Sequence, residues 1–217
     1  MIEKINEMKG NCLACDEVIR VLTEIKSKDN NKTISVAEIG VDIGATAIEI
    51  LKILEDKDQY YMFDFEDKIY ELASDFENLS YVRATVVPCG NTNKIYDSYA
   101  WTLQKMYANN KSPVFDLVYL DGAHTFIHDA ITICLLKKMV KKDGVIVIDD
   151  MDWTIKNSPT CNPNIRPAVL DEYTQEQIEC PQVSIATNIF LDDDINWKKY
   201  IELCSNHRSV YIRIDGD

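Results

Sequence analysis

From Ile34 onward the chain alternates short apolar runs rich in β-branched residues with longer segments of helical periodicity. That alternation is the signature of βαβ units and a mainly parallel sheet. The runs predict strands at 34–39, 60–65, 81–87, 115–120, 144–148, 183–190 and 209–214. Several are apolar throughout instead of alternating, as strands are when helices cover both faces of a sheet. Between the first two, Ala47, Ile50, Leu51 and Leu54 recur at i, i+3, i+4 and i+7, which predicts an amphipathic helix lying on the sheet. The segment 126–141 reads as another helix. Lys137, Lys138, Lys141 and Lys142 gather at its end, where cations suit the dipole, and Gly144 follows where the chain would reverse. An extra helix is expected at about 12–26, ahead of the first strand, with Val18, Leu22 and Ile25 on one side, as a structural element or a lid. The breaker-rich stretch 156–167, with Pro159, Pro163 and Pro167, reads as a loop just after the fifth strand. Loops at that end of an α/β sheet build sites, so it is a candidate to help hold a substrate.

Composition narrows the class. The 217 residues, 46% of them hydrophobic, suit a single domain, with 1–30 as a helical cap and 34–214 as the core. A net charge of −13 disfavours a face that grips nucleic-acid backbones, and small-molecule partners fit better. No stretch approaches the roughly 20 apolar residues of a membrane span, and the first residues lack a basic region followed by an apolar one. The 7 cysteines form no repeating framework, which points to reduced thiols and a cytoplasmic location. Only Cys12 and Cys15 sit at C-x-x-C spacing, and without a second pair they read as small apolar residues near a helix. Homo-oligomerisation stays open.

Two motifs point to a nucleotide-like ligand. At the junction of the first strand and its helix stands Glu38-Ile39-Gly40-Val41-Asp42-Ile43-Gly44. Glycines there let the backbone turn and approach a ligand beside a helix N-terminus. The spacing G-x-x-x-G differs from the dinucleotide fingerprint, and Glu38 would repel a pyrophosphate but pair with a cationic amino group. Some 20 residues on, the second strand ends at Asp64, with Glu66 as the reserve. An acid there can accept hydrogen bonds from both hydroxyls of a ribose.

Glu38-x-Gly40-x-x-x-Gly44 followed by Asp64 resembles the class I S-adenosylmethionine-dependent methyltransferases. The resemblance spans about residues 34–214 and implies a Rossmann-like seven-stranded sheet, mostly parallel, with the last strand antiparallel and helices on both faces. It also implies that Gly40, Gly44 and Glu38 lie along the methionine end of the cofactor and that Asp64 holds the ribose. The turn after strand three contributes to the adenosine pocket of that family, which here makes Asn91 and Thr92 candidates.

Acids then gather at two neighbouring strand ends, Asp121-Gly122-Ala123-His124 and Asp149-Asp150. Converging carboxylates repel unless a cation joins them, and oxygen ligands suit Mg²⁺ or another hard divalent ion. D-G-x-H with a later D-D resembles the metal-dependent O-methyltransferases that act on sugar hydroxyls in macrolide biosynthesis, whose metal ligands match Asp121, Asp149 and Asp150. Asp121 also counts among the cofactor-binding and catalytic residues. Some members of that group carry a second Asp as base where this chain has Ala123, so His124 becomes the expected base. His128 and His207 read as structural. Asp152 and Trp153 are candidates to line the acceptor pocket, which 1–30 and 151–182 would shape. The leading expectation is methyl transfer from S-adenosylmethionine to a hydroxyl of a small, polar, sugar-like acceptor. The alternatives are a metal-independent methyltransferase acting on nitrogen or phosphate oxygen, and a nucleotide-binding oxidoreductase.

Overall fold

A computed structural model describes residues 14–29, 31–94 and 96–214. Helix α1 (Asp16–Lys28) is followed by β1 (Ser35–Ile39), α2 (Ala45–Ile53), β2 (Gln59–Phe65), α3 (Glu66–Glu77) and β3 (Thr85–Asn91). Then come α4 (Tyr99–Asn109), β4 (Phe115–Leu120), α5 (Phe126–Met139) and β5 (Val140–Ile148). Short helices α6 (Val169–Glu172), α7 (Gln175–Glu179) and α8 (Gln182–Thr187) lead to β6 (Trp197–Lys199) and β7 (Ser209–Arg213). The strands form one seven-stranded sheet in the order β3-β2-β1-β4-β5-β7-β6. β1 to β5 pair in parallel, and β7 runs antiparallel to both β5 and β6. This is the Rossmann-like sheet with an antiparallel last strand that the resemblance implied.

Alternate strand residues feed two cores. Val36, Tyr60, Leu117 and Val145 face α1, α2 and α3, where Val18, Leu22, Ile50, Leu51 and Phe76 are buried. Ala37, Ile39, Val118 and Ile146 face α4, α5 and α8, where Leu103, Ile133, Leu136 and Ala186 are buried. Covering both faces is why β1 and β4 are buried along their whole length.

Three expectations about elements need correcting. The run 183–190 is not a strand: it is α8 continued by a wider turn over Asn188–Asp192, and β6 lies later, at Trp197–Lys199. Val183, Ala186, Thr187 and Leu191 are buried while Ile185 and Ile189 are exposed, a helical spacing that packs on α5 and overrides the β-branched composition. Gln182 adds a local reason, since its Oε1 accepts the free Phe126 N–H at the start of α5 at 2.8 Å. The third strand spans Thr85–Asn91 instead of 81–87, because a turn closed by Val82 N–H on the Leu79 carbonyl delays it. Finally, α5 ends at Met139 and Gly144 lies inside β5, so Lys141 and Lys142 are strand residues and no chain reversal occurs at Gly144. Lys141 Nζ instead donates to Asp116 Oδ2 at 2.6 Å.

The expected face of α1 is buried at Val18 and Leu22, and Cys15 N–H ties the helix start to Thr46 Oγ1 at 3.0 Å. Cys12 lies outside the described residues. Burial pushes the Cys15 thiol up to about 12, so it stays protonated.

The far end of α1 is held by a buried cluster. Asp58 is fully buried and accepts from Lys26 Nζ at 2.7 Å, from Ile34 N–H at 2.9 Å and from Glu55 N–H at 2.8 Å. Removing the carboxylate leaves a buried ammonium and unpaired N–H groups. Asp58→Ala is therefore expected to cost about 3–5 kcal/mol in urea unfolding; a loss within experimental error would show that Lys26 finds compensation in Glu55 alone.

Candidate active site

The strand order reverses between β1 and β4, and there the carboxyl ends of the parallel strands open a cleft of about 620 Å³. Gly40, Asp64, Asn91, Tyr99, Asp121 and His124 are among its walls. The ladder hydrogen bonds continue past the strand ends and fix these positions. Gly40 N–H donates to the Phe63 carbonyl at 2.9 Å, Asp121 N–H to Ile39 at 2.8 Å, and Asp149 N–H to Leu120 at 3.0 Å.

The glycine loop is built on close approach. Gly40 has φ of +85°, and a Cβ there would lie 1.7 Å from the Asp121 carbonyl oxygen. Gly44 caps α2 at φ of +84°, where a Cβ would meet Phe76 Cζ at 2.6 Å. Asp64 anchors the loop from the next strand: its Oδ2 accepts Val41 N–H at 3.1 Å and Asp42 N–H at 2.9 Å, and its Oδ1 accepts Phe65 N–H at 2.7 Å. Oδ1, with one donor, keeps acceptor capacity in the cleft wall. Glu66 is exposed at the start of α3 and forms no part of the wall. Asn91 lies in the wall, whereas Thr92 turns to Asp97, donating its N–H at 2.8 Å and its hydroxyl at 2.6 Å.

Glu38 is not in the cleft wall but in the core, 2% exposed and bonded to the Tyr60 hydroxyl. Burial pushes its carboxyl up to about 8, with Asp121 and Asp64 adding to the rise. The folded protein therefore keeps this proton after the unfolded chain has lost it. Stability contributed here falls as pH rises from about 4.5 to about 8. Glu38→Gln is expected to flatten that decline in urea unfolding across pH 5–8; parallel slopes for variant and parent would place the carboxyl's titration elsewhere.

At the mouth, one ligand atom each from Asp121, His124 and Asp150 lie within 4.8 Å of one another. His124 Nδ1 is 3.3 Å from Asp150 Oδ2, and Nε2 is 3.9 Å from Asp121 Oδ1. Burial and the Asp149 and Asp150 charges push the Asp121 carboxyl up to about 8. Burial lowers the His124 pKa, against the pull of Asp150 and Asp149, so the imidazole is neutral at pH 7. Asp149 stands apart from the cluster. Its Oδ2 accepts from Arg208 Nε at 3.0 Å and from the Tyr119 hydroxyl, and Arg208 Nη1 reaches Glu17 Oε2 of α1 at 3.0 Å.

Trp153 packs its ring 5.2 Å from His124, over a small core of Ile155, Val169 and Ile178. The stretch 156–167 is thus a turn-rich loop pinned to a folded segment. Asp152 pairs with His207 Nδ1 at 2.6 Å, and His128 bonds Thr125 Oγ1 at 2.8 Å. Arg208, Tyr119 and Tyr99 carry no motif in the sequence. The one available signal is that Tyr119 lies two residues before Asp121, near the carboxyl end of β4.

Residues 37–151 match the family model described as a methyltransferase domain. No curated protein sequence matches the chain. Among solved structures, a proposed O-methyltransferase of Klebsiella pneumoniae superposes with a TM-score of 0.60 at 13% identity, covering 95% of this chain and 83% of that one. An O-methyltransferase of Bacillus cereus in complex with SAH gives 0.52 at 13% identity, over 99% and 100% of the two chains. MycE, a methyltransferase of the mycinamycin pathway in complex with Mg and SAH, gives 0.51 at 16% identity, over 89% of this chain and 48% of that one. The chain belongs to the methyltransferase-domain family. Its fold is that of the class I S-adenosylmethionine-dependent methyltransferases, and the protein is an enzyme of that class. The oxidoreductase alternative falls away. Among the described residues, no helix is long and apolar enough to cross a membrane.

Proposed function

We propose that the protein transfers the methyl group of S-adenosylmethionine to a hydroxyl oxygen of a small polar acceptor, with a divalent cation at the acidic mouth of the cleft. The observation that carries this reading is the double position of Asp121, which lines the cleft beside Gly40 and belongs to the cluster with His124 and Asp150. Cofactor end and acceptor end meet at that residue. A cradle that a Cβ at Gly40 would fill, with Asp64 across it, fits the cofactor, and a converging set of carboxylate and imidazole donors fits a cation. MycE, bound to Mg and SAH, supports the pairing of the two.

In this reading Gly40 brings the backbone against the cofactor, Asp64 accepts from its ribose hydroxyls, and Asn91 stands at the adenosine end. Bound S-adenosylmethionine supplies an electrophilic methyl on a sulfonium. A bound cation would lower the pKa of an acceptor hydroxyl. Transfer of that methyl to the acceptor oxygen would break its bond to sulfur and release S-adenosylhomocysteine. The hydroxyl proton would pass to the free oxygen of a mouth carboxylate, Asp121 or Asp150, whose other oxygen faces the cation. Much of the rate comes from holding oxygen and methyl in line. Trp153, beside His124, offers an apolar wall to a sugar-like ring. The net charge of −13 favours a small-molecule acceptor over a polyanion.

Calorimetric titration with S-adenosylmethionine and S-adenosylhomocysteine, each with Mg²⁺ and with EDTA, tests it. Micromolar binding of either supports the reading, and binding of neither overturns it. Methyl transfer that survives full chelation would favour the metal-independent alternative, with nitrogen or phosphate oxygen as acceptor.

A further inference from the structure

The sequence offers Asp121, Asp149 and Asp150 as the natural ligands and His124 as the base, but the side chains are not arranged that way. Asp149 already has protein partners on both of its carboxylate oxygens. One of its oxygens takes Arg208 Nε and the Tyr119 hydroxyl, the other takes Asp150 N–H at 2.9 Å, and the side chain is 9% exposed. Arg208 is itself fixed from its far side by Glu17, so turning it away from Asp149 would also disturb the docking of α1. The positive charge that Asp149 would seek in a metal ion is already supplied.

Asp121, His124 and Asp150 are different. Among the described residues, their polar side-chain partners at the mouth are one another and the Tyr119 hydroxyl, 3.2 Å from Asp121 Oδ2. Ligand atoms about 2.1 Å from a shared ion lie at most about 4.2 Å apart. The observed separation of up to 4.8 Å closes to that with a side-chain shift well below 1 Å. Exchanging a carboxylate for an imidazole also alters what the site prefers. A set of two carboxylates and one nitrogen suits first-row transition ions, whereas Mg²⁺ favours oxygen and retained water.

We propose that the cation is held by Asp121, His124 and Asp150, that Arg208 keeps Asp149 out of its coordination shell, and that the mixed nitrogen and oxygen set binds Mn²⁺, Co²⁺ or Zn²⁺ in preference to Mg²⁺. The cation's role rests on the methyl-transfer reading; its ligand set does not. His124 thereby becomes a ligand instead of the base, and Asp149 becomes the positioning residue that links the site to α1 through Arg208.

The test is Mn²⁺ titration of the full chain by electron paramagnetic resonance, with pulsed measurement of nitrogen coupling and thermal melts of every variant. Saturable binding with the modulation of a single imidazole is expected. His124→Gln should abolish the modulation, and His124→Gln and Asp150→Asn should each weaken Mn²⁺ by at least about tenfold, while Asp149→Asn changes it by less than about threefold. Mg²⁺ should displace Mn²⁺ only at roughly tenfold excess or more. A saturated parent protein without nitrogen modulation overturns the proposal and needs no variant to do so; so does a larger loss in Asp149→Asn than in His124→Gln, or no saturable binding. Titration with S-adenosylhomocysteine separates the two readings. Mn²⁺ bound through imidazole in a protein that ignores S-adenosylhomocysteine keeps the ligand set and removes methyl transfer, and the converse result does the opposite.

Discussion

Gly40→Ala is expected to lose at least about 3 kcal/mol of stability, seen as a melting point lower by about 6–12 °C, together with binding of S-adenosylhomocysteine. Two costs add at this position. An alanine at φ of +85° carries the left-handed penalty of roughly 1–2 kcal/mol. Its Cβ would also overlap the Asp121 carbonyl oxygen at 1.7 Å, and that oxygen is backbone, tied into the sheet by the Asp121 N–H bond to Ile39. Relief requires β1 and β4 to separate at the point where the cleft opens. Gly44→Ala is the informative comparison, because the atom it would meet is the tip of the Phe76 side chain, which can turn aside. It should retain more stability than Gly40→Ala. A Gly40→Ala protein that melts within about 2 °C of the parent would mean that the two strand ends are not rigidly apposed.

Arg208→Ala is expected to cost about 2–4 kcal/mol, although the residue belongs to no motif. It bridges Asp149, 9% exposed, and Glu17, 17% exposed, and its loss strands both carboxylates in a region already dense with acid. A double-mutant cycle isolates that cause. Asp149→Asn removes one of the stranded charges, so the double variant should be more stable than the sum of the single losses predicts, by about 1–3 kcal/mol. Mn²⁺ should raise the melting point of Arg208→Ala more than that of the parent, because Asp149 then becomes free to join the cation. Strict additivity, with equal stabilisation of both proteins by the ion, would show that Arg208 acts through packing of its stem alone.

Local patterns were informative wherever one stretch of chain supplies the whole physical cause. The α2 face of Ala47, Ile50, Leu51 and Leu54 is buried as its spacing requires. Gly40 and Gly44 take the positive φ angles that a tight strand-to-helix turn needs. Asp64 falls at a strand end beside the loop, because strand and turn lengths in a βαβ unit are narrowly set. Where local propensity and burial compete, the sequence misleads. The β-branched run at 183–190 becomes a helix because α5 presents an apolar face for Val183 and Ala186 to cover.

By itself, then, the sequence determined the α/β class, a mainly parallel sheet, the glycine loop, the acid of the second strand and the gathering of acids at the ends of β4 and β5. These depend on period, turn chemistry and the direction of parallel strands, all written within some 30 consecutive residues. Only the tertiary structure decided what each acid does. Asp149 and Asp150 are neighbours in the chain, yet Asp150 faces His124 while Asp149 faces an arginine 59 positions away, which in turn holds a glutamate 191 positions away. Charge pairing between residues so distant follows from how β7 inserts beside β5 and how α1 docks on the sheet. No spacing rule records either, because the free energy of a buried carboxylate depends on which cation the fold brings within reach.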